Sequence, residues 1–376
     1  MDSVPKTRAK PRAYDIAEFR LRRHHLRDEA PADVVTICRD VCGVQAQVMP
    51  AAYLQLWARN HAITRAEIEG LLWQSRTLVR TSLMRQTLHL IPADEFALYI
   101  AALRSSRVAA VLRVMARFGI TREEGDDLST LIMDALSSGP LGRAEINAAV
   151  RPRVSRRVRS WMSRVWSIVR IPVAEGLVCY GPGKGNQVRF IRLDQWLPGL
   201  KPMPEATAQG LLLRKYLSAY GPATARDFAH WAGMPMKEAR QVCERLKDEL
   251  HEVWVDGEAC MVAREDLHEL ASRPRRKSVV NLLPNFDPYL LAHADKDHLI
   301  EARHYKHVYR DQWWISPVIL SSGRVVGTWS YKIRGRKMTV EIQAFEKFPR
   351  PVREQVEREA ASVGRFWGKE VEIGMN

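Results

Sequence analysis

Several features are scarce in this chain, and each scarcity removes a class of function. No run of about 18 apolar residues occurs in its 376 positions, so a membrane-spanning helix is not expected. The opening MDSVPKTRAKPR carries charge where a secretion signal carries an apolar core, so the expectation is a cytoplasmic, nucleoid-associated protein. Cysteine is limited to Cys38, Cys42, Cys179, Cys243 and Cys260. That odd, scattered set suits reduced thiols and fits neither a disulfide framework nor a zinc module. Cys38 and Cys42, four apart, share a helical face and read as core. Acidic residues are in deficit, 43 against 58 Lys and Arg.

That deficit leaves a formal charge of +15. Each Lys or Arg that neutralises a phosphate releases a condensed counterion, so a basic excess attracts nucleic acid first. The charge is clustered in RPRVSRRVRSWMSR (151–164), RPRRK (273–277) and KIRGRK (332–337). No amphipathic helix with a continuous apolar face accompanies these runs, which argues against a membrane surface. With 46% hydrophobic residues the chain is long enough for two to four globular units.

Hydrophobic periodicity predicts helices near 15–26, 33–42, 50–59 and 65–73, then strands in LVRTSLM and QTLHLIP and a long helix over 93–118. The order recurs with helices at 122–137, 143–150 and 156–174 before the strands GLVCYG and QVRFIRL. It recurs again with helices at 205–219, 224–231 and 235–248 before a hairpin turning at Asp256 and Gly257. The predicted class is therefore α+β: three tandem winged-helix motifs (15–118, 119–200, 201–277) and a C-terminal antiparallel β-rich domain (278–376). That domain has strands in 279–283, 313–320, 324–333 and 337–345 and a closing helix over 350–367 ended by Gly368.

Two motifs invite chemistry and fail on spacing. GPGKGNQ lacks the GK[ST] ending of a phosphate loop and does not lead from a strand into a helix, so it reads as a hairpin turn presenting Lys184 and Asn186 to a DNA backbone. HADKDHLIEARHYKH gathers four histidines and two aspartates but matches no zinc pattern. No metal and no cofactor are expected. The pair Gln45 and Gln47, in GVQAQVMP, raises a different question, because glutamine does not titrate and makes a poor general base. In an extended backbone residues i and i+2 point the same way, so both amides would converge while Ala46 packs inward.

Five segments, GVQAQVMPAAYLQLWAR, RTSLMRQTLHLIPADEF, YGPATARDFAHWAG, LLPNFDPYLLAH and GRVVGTWSYK, resemble in the same order those of the bacterial AlkZ-type winged-helix DNA glycosylases. The resemblance runs from about Ile16 to Gly368. It implies a C-shaped molecule around a basic channel for duplex DNA, and it identifies Gln45-Ala46-Gln47 with the family's Gln-hydrophobic-Gln active-site signature. The implied reaction is monofunctional hydrolysis of the N-glycosidic bond of purines alkylated at N7, with methyl, bulky and interstrand-crosslinked lesions all open. His89 and Asp287 are candidate supports of the pocket. Arg85, Arg156, Arg157, Arg159, Lys184, Arg303 and His304 are candidate DNA contacts. The partner expected is double-stranded DNA with alkylated purines, bound by a monomer without a protein partner. The competing reading is a non-catalytic winged-helix transcriptional regulator, which would place amides on a recognition helix. Here the candidate helices 156–174 and 235–248 are rich in Arg and Lys instead.

Overall fold

The computed structural model describes residues 13–27, 31–164, 168–184, 187–272 and 277–375. Of the basic run 273–277 only Lys277 falls within it, and Asn186 and Trp166 lie outside. The chain is α+β, as expected.

The N-terminal helices start where their caps are written. Asp33 accepts from the amide of Thr36 at 2.8 Å to open Val34–Asp40, and Thr64 with Glu67 forms a reciprocal capping box before Arg65–Trp73. The same device, Thr121 with Glu124 and Thr224 with Asp227, opens Arg122–Ala135 and Ala225–Ala232. Phe96–Ala116 is the long helix expected after the first hairpin.

The first two strand pairs are joined. Leu78–Ser82 pairs with Leu88–Pro92 and also meets Val178–Lys184 through Arg80 opposite Tyr180. The result is one sheet of six strands, with Val44–Gln45 at one edge and Leu141–Gly142 at the other. Leu250–Val255 and Glu258–Ala263 stand apart as a two-stranded hairpin. The predicted helix over 156–174 is also two pieces, Arg156–Arg164 and Arg170–Ala174, with a turn at 168–169. Pro172 lacks the N–H that would bond back to residue 168, so the helix restarts there.

The C-terminal sheet has five strands, and a correction is needed to its antiparallel description. Four strands, Val280–Leu283, Val318–Ser321, Arg324–Arg334 and Lys337–Ala344, run antiparallel. A fifth, Glu370–Met375, returns parallel to Lys337–Ala344. The helix Arg350–Trp367 supplies the crossover that a parallel pair requires. The predicted strand over 313–320 begins only at Val318, because Gln312 and Trp313 take positive φ.

Apolar clusters run across the boundaries drawn at 118, 200 and 277. Val79 and Ile91 of the first hairpin pack with Phe96 and Tyr99 of the long helix and with Tyr216, Tyr220 and Trp231 of the third unit. Leu54 and Trp57, from Met49–Trp57, join the core of the C-terminal sheet. Residues 43–48 therefore sit where three parts of the chain meet. All five cysteines are buried and unpaired.

Candidate active site

Gly43 makes the local geometry possible. Its φ is +88°, and a Cβ there would lie 2.8 Å from Cγ2 of Ile91, so only glycine lets the chain enter so close to the strand Leu88–Pro92. Val44 then pairs with Leu90 and Gln45 with His89. Ala46 continues the contact, donating its N–H to the Leu88 carbonyl at 2.6 Å, and its side chain is fully buried beside Ile37 and Leu90.

The two glutamines reach the same turn, residues 83–88, which joins the strands Leu78–Ser82 and Leu88–Pro92. Oε1 of Gln45 accepts from Nη2 of Arg85 at 3.4 Å, and Oε1 of Gln47 accepts from the Leu88 amide at 3.3 Å. Their surroundings differ. Gln45 is buried, whereas Gln47 is exposed and lines a cavity of about 220 Å³. Ser82, Gln86, Arg107, Arg170 and Tyr180 supply its polar lining, Leu88, Val111 and Val173 much of its apolar wall, and no carboxylate occurs among its described lining residues. Gln45 stands behind this lining, next to Arg85.

Arg85 is half-buried. Its guanidinium donates to the Trp231 carbonyl at 2.7 Å as well as to Gln45, and burial lowers its pKa to about 10, which leaves it charged at neutrality. Gly233 brings the third unit this close: a Cβ there would lie 2.8 Å from the Arg85 amide nitrogen. Arg107 donates to the carbonyls of Ala174 and Val173 at 3.1 and 2.9 Å.

His89 and Asp287 occupy different layers. His89 donates from Nδ1 to the Thr87 carbonyl at 3.0 Å, which leaves Nε2 as the acceptor. Burial, reinforced by Arg85, pushes its pKa down to about 3, so it stays neutral across the physiological range. Asp287 lies behind the site in a fully buried bidentate pair with Arg59, at 2.8 and 2.9 Å. Arg59 also donates to the Gln55 carbonyl at 2.7 Å, and the Gln55 side chain donates to the Gln45 carbonyl at 2.9 Å. The path from Asp287 to the amide pair therefore passes through Arg59 and Gln55. Neither intermediary was singled out in the sequence, although both lie in the segment GVQAQVMPAAYLQLWAR. A further buried cation, Lys296, donates to the His293 carbonyl, and burial lowers its pKa to about 7. It does not line the cavity.

A family model described as DNA glycosylase AlkZ-like matches residues 38–366. The chain belongs to the AlkZ-like DNA glycosylase family. An interstrand DNA cross-link repair glycosylase of Streptomyces sahachiroi is 31% identical over 363 residues, covering 94% of this chain and 96% of that protein. The solved Streptomyces sahachiroi DNA glycosylase AlkZ is similar with a TM-score of 0.85 at 27% identity, spanning 98% of this chain and 100% of that one. Membership of the AlkZ-like family makes the protein a DNA glycosylase, and the reading as a non-catalytic regulator falls.

The basic residues of this AlkZ-like chain divide into spent and available charge. Arg156 and Arg159 are exposed on the helix Arg156–Arg164. Arg157, on the same helix, donates to the Gly119 carbonyl at 2.5 Å. Arg303 is paired with Glu301 and Glu346 at 2.9 and 2.5 Å. His304 stacks flat on Phe345, ring centroids 4.2 Å apart, with His307 alongside at 6.0 Å. Lys184 closes the strand Val178–Lys184. Among the described residues, no helix is long and apolar enough to cross a membrane.

Proposed function

We propose that this glycosylase hydrolyses the N-glycosidic bond of N7-alkylated purines in duplex DNA, bulky and interstrand-crosslinked adducts included. The observation that carries the reading is Gln47 on a cavity without a described carboxylate, with Gln45 held by the same turn. A base alkylated at N7 already carries positive charge and departs neutral, so the chemistry needs no strong general acid. What it needs is stabilisation of the oxocarbenium-like centre developing at C1′ and a well-placed water. An amide oxygen has two lone pairs. In each glutamine a donor from the 83–88 turn engages one and fixes the amide; the second lone pair of Gln47, on the cavity, is directed to the water or the sugar cation, and Gln45 supports it from behind the lining. As the C1′–N9 bond breaks, its electron pair leaves with the base, water oxygen bonds to C1′, and the water proton passes to solvent.

Crosslinked substrates are favoured because the similar Streptomyces sahachiroi protein is an interstrand DNA cross-link repair glycosylase. Arg156 and Arg159 serve the DNA backbone, joined by Lys184 at the end of the strand Val178–Lys184 and by Arg170 at the cavity. Arg85 and Arg157 already have protein partners, Gln45 and the Gly119 carbonyl, and hold those segments in place. The chain acts as a monomer at the nucleoid, and its helical groups with paired strands are tandem winged helices curved around the duplex.

The test is incubation of the protein with duplexes carrying 7-methylguanine or an N7–N7 crosslink, followed by quantitation of released base and of alkali-labile sites. Release from both, with no strand cleavage before alkali, is the expected result. Release of neither, or borohydride trapping of a lysine adduct, removes the reading.

A further inference from the structure

Aromatic side chains in this protein are mostly interior, and Trp313 is the departure: it is 93% exposed, more than any other large apolar side chain among the described residues. The loop that presents it is firmly built. Tyr309 and Ile315 close its base as an isolated bridge, Arg310 N–H donates to the Trp314 carbonyl at 2.9 Å, and Trp314 N–H donates to Asp311 at 3.3 Å. At the tip, Gln312 and Trp313 both take positive φ, +56° and +62°. Two successive non-glycine residues in that region are unfavourable, and such geometry persists only where the surroundings impose it. The surroundings are the next ring, Trp314, set edge-on to Phe286 with centroids 5.1 Å apart.

The same loop is tied to the amide pair. The Asn285 side chain donates to the Ile315 carbonyl at 2.8 Å. The Asn285 carbonyl in turn accepts from the Gln55 amide that also holds the Gln45 carbonyl, at 3.3 and 2.9 Å. Val48, directly after Gln47, packs into the apolar cluster containing Phe286 and Ile315. Trp313 is therefore carried by elements continuous with the site. Lys306, His307 and Arg310, within seven residues of it in sequence, are exposed, with Asp311 the nearest acid in sequence. An exposed ring in a segment richer in exposed cations than acids suits a base with its phosphates rather than an apolar protein surface.

We propose that Trp313 stacks on a base of the substrate duplex beside the lesion, entering the helix as a wedge or covering a base displaced from it. A large rigid ring loses little conformational freedom on such contact, and every base offers a face to it, so the contact supplies affinity and register without sequence preference. The proposal rests on the reading of the protein as acting on duplex DNA and not on the roles of Gln45 and Gln47.

The experiment uses a 7-methylguanine duplex with 2-aminopurine next to the lesion, and the full chain as wild type, Trp313→Ala, Trp313→Leu and Trp313→Phe. Binding, 2-aminopurine fluorescence and single-turnover base release are recorded. Because the ring is exposed, all four proteins should fold alike, which a thermal melt verifies. Loss of affinity by roughly 5- to 150-fold in the Ala and Leu variants, loss of the fluorescence change, and recovery of most of both by Phe are expected. Equal binding and fluorescence in all four, or recovery by Leu as complete as by Phe, overturns the proposal. Wild type that shifts the fluorescence through Trp313 but releases no base would leave stacking standing and remove the glycosidic reading alone.

Discussion

The glutamines make different contacts, and truncating each should separate folding from chemistry. Gln47 is exposed and makes one side-chain bond at 3.3 Å, so Gln47→Ala should change stability by no more than about 0.5 kcal/mol. Gln45 is buried, and Gln45→Ala leaves Nη2 of Arg85 without that acceptor. An unsatisfied buried donor costs about 1–3 kcal/mol. Because Arg85 keeps its 2.7 Å bond to Trp231, the cost should sit at the lower end. At an unfolding entropy of about 2.1 cal/mol/K per residue, that range lowers Tm by roughly 1–4 °C for a chain of 376 residues. On the chemical step, loss of either amide oxygen should cost about 10²–10³-fold, the size found for one preorganised polar group at a charged transition state. The assay is single-turnover release from a 7-methylguanine duplex beside a thermal melt of the same preparations. A Gln47→Ala protein that releases base at the wild-type rate, or one that melts as low as Gln45→Ala, refutes the reasoning.

The supporting layer gives a second outcome. Asp287→Asn leaves Arg59 charged with no carboxylate in a fully buried pair. Removing one partner of such a pair costs about 3–5 kcal/mol, so Tm should fall by more than for either glutamine variant; an unchanged melt would remove the pair from the account. The buried histidines set an acid limit. Burial holds His24 and His293 well below, and His89 down to about 3 from, the ordinary imidazole pKa of 6.5. These groups gain protons only in the unfolded chain between those values, so stability is complete above pH 6.5 and is lost as pH falls. At pH 5.5 His89 alone should remove about 1 kcal/mol, with His24 and His293 adding loss in the same direction, read as a falling urea midpoint, and a midpoint level from pH 7.5 to 5.5 contradicts it. Finally, Arg156→Ala with Arg159→Ala should weaken binding to all duplex sequences and flatten the log–log salt slope by up to about 1.8; a change in sequence preference would contradict backbone contact.

Local chemistry made much of this readable along the chain. Thr64 with Glu67 and Thr224 with Asp227 wrote their helix starts. Asp256 and Gly257 wrote the third hairpin. What escaped was decided at a distance. The joining of two strand pairs through Arg80 and Tyr180 spans 100 positions and has no local signature. Glu370–Met375 becomes a strand because a neighbour waits after the crossover, and its own six residues are too few to announce it. Trp313 and Trp314 read as strand by β-propensity, yet the bridge of Tyr309 to Ile315 forces a turn. Within the site, Ala46 lies inward as period-two spacing predicts, but Gln45 is buried as well and only Gln47 lines the cavity. The pairing of Arg59 with Asp287, 228 positions apart, was beyond any pattern in sequence.

One guanidinium has a consequence for how the enzyme comes into being. Arg85 is shared between Gln45 and the Trp231 carbonyl, and that carbonyl belongs to a segment made almost 150 residues later. A nascent chain that has emerged only as far as its first hairpin owns both glutamines but lacks the carbonyl that shares Arg85 with Gln45. On the proposed mechanism the signature is translated early and becomes competent late, after the helix Ala225–Ala232 has docked. An excised N-terminal fragment would therefore inherit the motif without the enzyme.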